Sequence, residues 1–159
     1  MPGKWSSLNL AFLDPEALEL EWSTVVRLAS VQRMDLIIYY PQEALTRNVD
    51  HLFDSPSHTR IDCYFGSRAW RQAYRHWRAQ YGTRGRHRVL MDLYMDNLRD
   101  LGYVDIRGTE YVGDEPLMRN KIRNAPLYRL IFASKHKRGH EFWHSVLGRN
   151  VHGQLRLME

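Results

Sequence analysis

LNLAFLDPEALELEW, residues 8 to 22, decides the fold. Leu8 to Leu13 is an apolar run of strand length, broken only by Asn9, and that pattern predicts a strand buried on both faces, as in a parallel sheet. Asp14 and Pro15 end it. From Glu16 onward Leu18, Trp22, Val25, Val26 and Ala29 recur at helical spacing, which predicts a helix. A second apolar strand, MDLIIYYP, stops at Pro41, which has no N–H to give to a central ladder. Strand, helix and strand in this order predict a parallel pair joined by a crossover.

Residues 42 to 66 are mixed, with DSPSH at 54 to 58 marking a loop. Ser67 is a suitable N-cap for a helix that runs to Tyr81 and stops at Gly82. After the basic loop GTRGRHR, residues 89 to 103 (VLMDLYMDNLRDLGY) place Leu90, Leu93, Tyr94, Leu98 and Leu101 on one helical face, with Gly102 at its end. YVDIRGTEYV alternates like a half-exposed strand, LYRLIFAS at 127 to 134 is a strongly apolar one, and GHEFWHSVLG predicts a closing helix. No crossover helix separates the last two strands, so they are expected to be antiparallel. The expectation is an α/β fold of about four strands in a single domain spanning 1 to 159.

A chain of 159 residues with 43% hydrophobic and 12% aromatic content can bury one core. The single Cys63 excludes an intramolecular disulfide framework and fits a reducing compartment. No signal segment is evident, and runs such as LIIYY are far too short for a bilayer, so a cytoplasmic location without membrane contact is expected.

The net charge of +5 is unevenly spread. Seven Arg and no acid lie between Arg68 and Arg88, and seven Arg or Lys and no acid between Arg119 and Arg138, together fourteen of the 23 basic residues. Such segments point to a polyanion, with nucleic acid foremost. On the helix ending at Tyr81, Trp70, Tyr74, Trp77 and Tyr81 form a stripe, and Arg71, Arg75 and Arg78 follow one residue later. An aromatic stripe at this spacing is the usual mark of core packing. The flanking arginines are therefore the expected phosphate contacts: Arg68, Arg71, Arg75, Arg78, Arg84, Arg86 and Arg88, joined by Lys135, Lys137 and Arg138.

HEFWH at 140 to 144 satisfies H-E-x-x-H, in which two histidines one helical turn apart hold zinc and the glutamate acts as base. A third ligand is needed. Leu147 stands where the elongated pattern has glycine, and only Glu159 remains as a downstream glutamate. A metal site at His140 and His144 is thus a minor alternative to a helix that closes the sheet.

The stretches LNLAFLDPEALELEWSTVVRLA, MDLIIYYPQEALTRN, DCYFGSRAWR, LYMDNLRDLGY, PLYRLIFASKHKRGHEFWHSVLG and HGQLRL, in this order over residues 8 to 157, resemble the C-terminal half of the three-Cys-motif partner protein (TcmP) family. The resemblance implies the second half of a Rossmann-like class I methyltransferase sheet, with a helical, winged-helix-like insertion at about 45 to 102. It implies a three-Cys-motif protein as partner, and an association with phage-related or mobile-element contexts. It also places Asp14 and Pro15 at the catalytic strand end. The family's glycine-rich donor-binding turn would lie upstream of Leu8, where only seven residues stand, so S-adenosylmethionine is expected only if that half is supplied. The family pattern continues with an aromatic and a glycine after Asp-Pro, whereas Glu16 and Ala17 follow here, and Glu16 cannot stack on a base.

The expectation is a methyltransferase-related protein without independent activity, associated with nucleic acid. The alternatives are a noncatalytic nucleic-acid- or protein-binding module and, third, a zinc metalloprotease. If the first strand of the chain is an edge, its apolar flank needs a cover. A homodimer or a partner chain pairing along Leu8 to Leu13 is expected to supply it.

Overall fold

The computed structural model describes residues 8–108, 117–123, 125–139, 141 and 143. β1 (Asn9–Leu13) and β2 (Met34–Tyr40) pair in parallel through α1 (Trp22–Ala29), with Leu13 beside Ile38. Four helices follow: α2 (Gln42–Leu52), α3 (Arg60–Phe65), α4 (Ala69–Tyr81) and α5 (Arg86–Asp100). The chain then returns to the sheet in β3 (Asp105–Arg107), β4 (Leu117–Arg119) and β5 (Pro126–Ser134). The sheet order is β1-β2-β5-β3, with β5 antiparallel to β2, and β3 and β4 both antiparallel to β5. The architecture is α/β with a mixed sheet, and the antiparallel strands stand at the end expected.

One sheet face carries the core. Leu36, Ile38 and Tyr40 alternate inward along β2, opposite Ala133, Ile131 and Arg129 of β5. Against them pack Val25 and Ala29 of α1, Leu45 and Val49 of α2, and Leu90, Tyr94 and Leu98 of α5. Tyr94 is the hub of an aromatic cluster, stacked on Tyr64 at 5.0 Å and edge-on to Tyr40 and Trp22 at 5.5 and 5.4 Å. On the other face Phe132 stacks on Trp143 at 5.5 Å, while Leu10 and Phe12 stay more than half exposed.

This one-sided cover corrects the first expectation. β1 alternates in exposure instead of being buried on both faces, because described helices cover only the side of Ala11 and Leu13. The helix expected from Glu16 begins at Trp22. Before it, Ala17 takes a positive φ of 43° and the chain buries Leu18 and Leu20, two residues apart, in an irregular connection. Residues 42 to 66 fold into α2 and α3, and α5 takes in Arg86 to Arg88, which the sequence suggested were loop. The insertion is helical from Gln42 to Asp100 with no strand in it, so it carries no β wing. Arg68 takes the N-cap position expected of Ser67, whose Oγ accepts from the Ala69 N–H at 3.2 Å. Cys63 is half-buried, with Sγ 3.3 Å from His58 Nε2.

The helical layer is pinned by one carboxylate. Asp62, in the first turn of α3, is 1% exposed. It forms a capping box with Thr59, accepting the Thr59 N–H at 2.7 Å while the Thr59 hydroxyl accepts the Asp62 N–H. Oδ1 also accepts from Trp70 Nε1 at 2.8 Å and from Arg71 Nε at 2.9 Å, and Oδ2 accepts from Arg71 Nη2 at 2.6 Å. Arg71 also donates from Nη1 and Nη2 to the carbonyls of Ser55 and Ser57. α3, α4 and the loop after α2 are thereby joined. α3 then stops at Gly66, φ 76°, where a Cβ would lie 2.3 Å from the Trp22 ring.

Burial alone would raise the Asp62 pKa, but the hydrogen bonds from Arg71, Thr59 and Trp70 outweigh it and hold the carboxyl well below the usual range. A folded-state pKa below the unfolded value of about 3.9 stabilises the fold fully above that pH and less as pH falls beneath it. Asp62→Asn leaves Arg71 buried without its counter-charge, which costs about 3–5 kcal/mol. We expect Tm to fall by roughly 10 °C or more at neutral pH, and the deficit to shrink below about pH 4. Thermal unfolding followed by circular dichroism against pH checks both; a constant deficit across that range would contradict the assignment.

Candidate nucleic-acid interface

The aromatic stripe of α4 divides along its length. Trp70 and Tyr74 are buried, Trp77 is half-buried, and Tyr81 is 56% exposed. Trp77 and Tyr81 lie 4.5 Å apart, and Trp77 Nε1 donates to the Arg84 carbonyl at 2.9 Å, folding the turn back against α4. Gly85, φ 67°, makes that turn; a Cβ there would come within 3.1 Å of the Trp77 ring. α5 starts directly afterwards with Arg86, His87 and Arg88.

Five guanidinium groups gather around this hairpin. Arg75 Nη2 donates to Asp54 at 2.7 Å, with both side chains more than half exposed. Arg78 reaches Asp50 at 3.3 Å and lies 4.9 Å over the Phe53 ring, and Arg86 bonds the second Asp50 oxygen. Arg84 is exposed and makes no ion pair among the described residues, and Arg88 is exposed one turn before Asp92. Exposed pairs such as Arg75–Asp54 contribute about 0–1 kcal/mol, so a phosphate can displace the carboxylate at small cost. Asp50 is held more firmly, because it also accepts from Tyr74 Oη at 2.5 Å. Burial, then that hydrogen bond, push the Tyr74 phenol up to about 12.

The remaining expected contacts are scattered. Arg71 is buried on Asp62 and is not on the surface. Arg68 is exposed beside the same carboxylate, 3.9 Å away. Lys135 donates to the Ala29 carbonyl and lies over the Tyr103 ring. Lys137 and Arg138 are exposed beyond the C-terminal end of β5. The N-terminal end of β5, where the exposed Arg119, Lys121 and Arg123 precede Pro126, adjoins α5: Pro126, Arg86 and His87 line one cleft. Nine residues of extended chain, about 30 Å, separate the two ends of β5. Lys135, Lys137 and Arg138 thus do not share a surface patch with Arg84 and Arg86.

Asp14 and Pro15 follow β1 at the carboxyl end of the parallel pair, Asp14 exposed and Pro15 half-buried. Close by, the Tyr39 and Tyr128 rings lie 4.4 Å apart. Burial, then Tyr128, Asp14 and Glu43 raise the Tyr39 pKa, so Asp14 and Glu43 are the acids nearest this tyrosine pair. His140 and His144 lie outside the described residues. Among the described residues, no three His, Cys, Asp or Glu are placed to hold a metal ion.

Sequence reasoning overlooked the cleft of about 240 Å³ lined by Gln42, Thr46, Thr83, Arg86, His87 and Pro126. Its residues come from places 84 positions apart, joined only when α2, α5 and β5 meet. The one local sign was Arg-His-Arg at a helix start, where acids are favoured.

Asp50 restrains Arg78 and Arg86 together, so Asp50→Asn should leave two guanidinium groups without a counter-charge. The variant is expected to elute from a heparin column at higher salt than the unaltered protein; earlier elution would contradict this placement of Asp50.

Comparison with family models, with curated proteins and with solved structures finds no match for the chain, so what this face does is inferred from its own residues.

Proposed function

We propose that this domain is a methyltransferase-related unit, without methyl-transfer activity of its own, that holds nucleic acid on the α4–α5 face. The observation carrying the proposal is the group formed by Arg75, Arg78, Arg84 and Arg88 beside the exposed Tyr81 and half-buried Trp77. Guanidinium groups neutralise phosphates while an accessible ring offers a base somewhere to stack, a combination suited to single strands. Asp50, Asp54 and Asp92 only partly offset the charge.

The relation to methyltransferases is supported by the sheet order, the parallel pair β1 and β2 followed by β5 and then β3, with β5 antiparallel to both its neighbours and the helices inserted between β2 and β3. In this reading S-adenosylmethionine enters only with a donor-binding half from elsewhere, and the family association makes a three-Cys-motif protein the partner to test. Asp14 would stand at the strand end facing the substrate. The outer edge of β1, with Leu8, Leu10 and Phe12 at 80%, 51% and 58% exposure, is where another polypeptide strand would add.

Two measurements test these proposals. Fluorescence anisotropy with a labelled single-stranded oligonucleotide should give an affinity whose log–log salt slope is about −3 for four contacts. Arg84→Ala and Arg75→Ala should each make that slope shallower by about 0.7; a slope near zero, or one insensitive to both changes, rejects the interface. Light scattering should show an associated species that Leu10→Lys with Phe12→Lys converts to monomer. A monomer before substitution, in the presence and absence of a three-Cys-motif protein, rejects strand addition at β1.

A further inference from the structure

Gln42 leads out of β2 into α2 and is only 6% exposed. Its Oε1 accepts from Arg129 Nε at 2.6 Å. A guanidinium only donates, so this contact fixes the amide with its NH2 pointing away from Arg129. The NH2 has no hydrogen-bond partner among the described residues, and Gln42 forms part of the wall of the 240 Å³ cleft. Because Gln42 is otherwise buried while its NH2 stays open at the cleft wall, a group bound in the cleft can accept from it.

The other walls favour an anion. None of the six lining residues is acidic. Arg86 uses one Nη on Asp50, leaving further N–H groups of its fork, and Thr83 brings a hydroxyl on the exposed α4–α5 turn. His87 is surrounded by Arg88 and Arg86 on α5 and Arg129 on β5, with Asp50 of α2 reached through Arg86. Burial first, then those three guanidinium groups, hold the His87 pKa below its ordinary value. The first turn of α5 has neither an acid nor a side-chain cap, although both would stabilise a helix start. That cost is offset if an anion occupies the cleft.

We propose that this cleft is a phosphate-binding site, in which the Gln42 amide, the Thr83 hydroxyl and the Arg86 guanidinium converge on one phosphate group, with His87 in the cleft wall as a reporter of its occupancy. The site stands on its own geometry. Only the assignment of its phosphate to a nucleic-acid strand end rests on the function proposed above. The cleft lies at the carboxyl end of β2, the side of an open α/β sheet where ligands ordinarily bind.

The test is an NMR titration of the whole chain with inorganic phosphate at constant ionic strength, read at the His87 ring and the Gln42 side-chain amide. Saturable shifts at both, lost in Thr83→Glu, are expected; Thr83→Glu puts a carboxylate into the cleft from an exposed turn, and the rest of its spectrum reports folding. Linear shifts matched by chloride, or equal saturation by acetate, would overturn the proposal. An oligonucleotide bearing a 5′-phosphate that binds more tightly than its hydroxyl form, with the difference abolished by Thr83→Glu, identifies a strand end as the source. Equal binding of the two forms, with inorganic phosphate still saturating, identifies a small phosphorylated molecule. Absence of any oligonucleotide affinity alongside saturable phosphate binding would reject the nucleic-acid reading and leave the cleft intact.

Discussion

The bidentate pairing of Asp62 with Arg71 is the constraint on which the helical layer depends. α3 has six residues, too few to be stable alone, and the loop after α2 has no strand or helix of its own to anchor it. A single buried carboxylate satisfies the α3 N-terminus, the Trp70 indole and the guanidinium at once, and the same guanidinium collects the loop carbonyls. Its hydrogen bonds fill the carboxylate, so the charge is buried without orphaned lone pairs. With α4 fixed this way, Tyr74 reaches Asp50, Asp50 draws in Arg86, and the start of α5 comes to rest beside Gln42.

The second feature is asymmetry. Helices α1 to α5 pack on one face of the sheet, and the opposite face is covered in part by Trp143 on Phe132. Exposed apolar side chains on β1 therefore lie both on the less covered face and along an edge that no other described strand pairs, which is where a further layer or strand gains most by burying area. The polar chemistry sits at the other side of the molecule, where the inserted helices meet the beginning of β5. One chain thus has two separate surfaces, one apolar and one cationic, whose uses can be tested independently.

Much of the frame was legible in the residues. Leu36, Ile38 and Tyr40 announce β2 by alternation and Pro41 ends it; LYRLIFAS gives β5, and Gly82 and Gly102 mark helix ends because each adopts a positive φ. α2 and α3 were harder to see. α2 is polar along much of its surface, and α3 is held by a capping box and a distant arginine more than by helical periodicity. The stripe on α4 was read correctly as core only for Trp70 and Tyr74; Tyr81 reaches beyond the edge of the layer it would have packed against. Arg71 and Lys135 look like surface cations in a one-dimensional reading. Their partners, Asp62 and the Ala29 carbonyl, stand 9 and 106 residues away, so only the fold reveals that they are spent.

What remains on the surface is a cationic arc from α4 across the α5 start to the turn before β5. Hydrogen–deuterium exchange of the whole chain with and without a single-stranded oligonucleotide, as DNA and as RNA, tests its role most directly. The account predicts slowed exchange confined to residues 75–88 and 119–123, with residues 135–138 unchanged. Slowed exchange at 135–138 alone, or no change anywhere at saturating oligonucleotide, would contradict it.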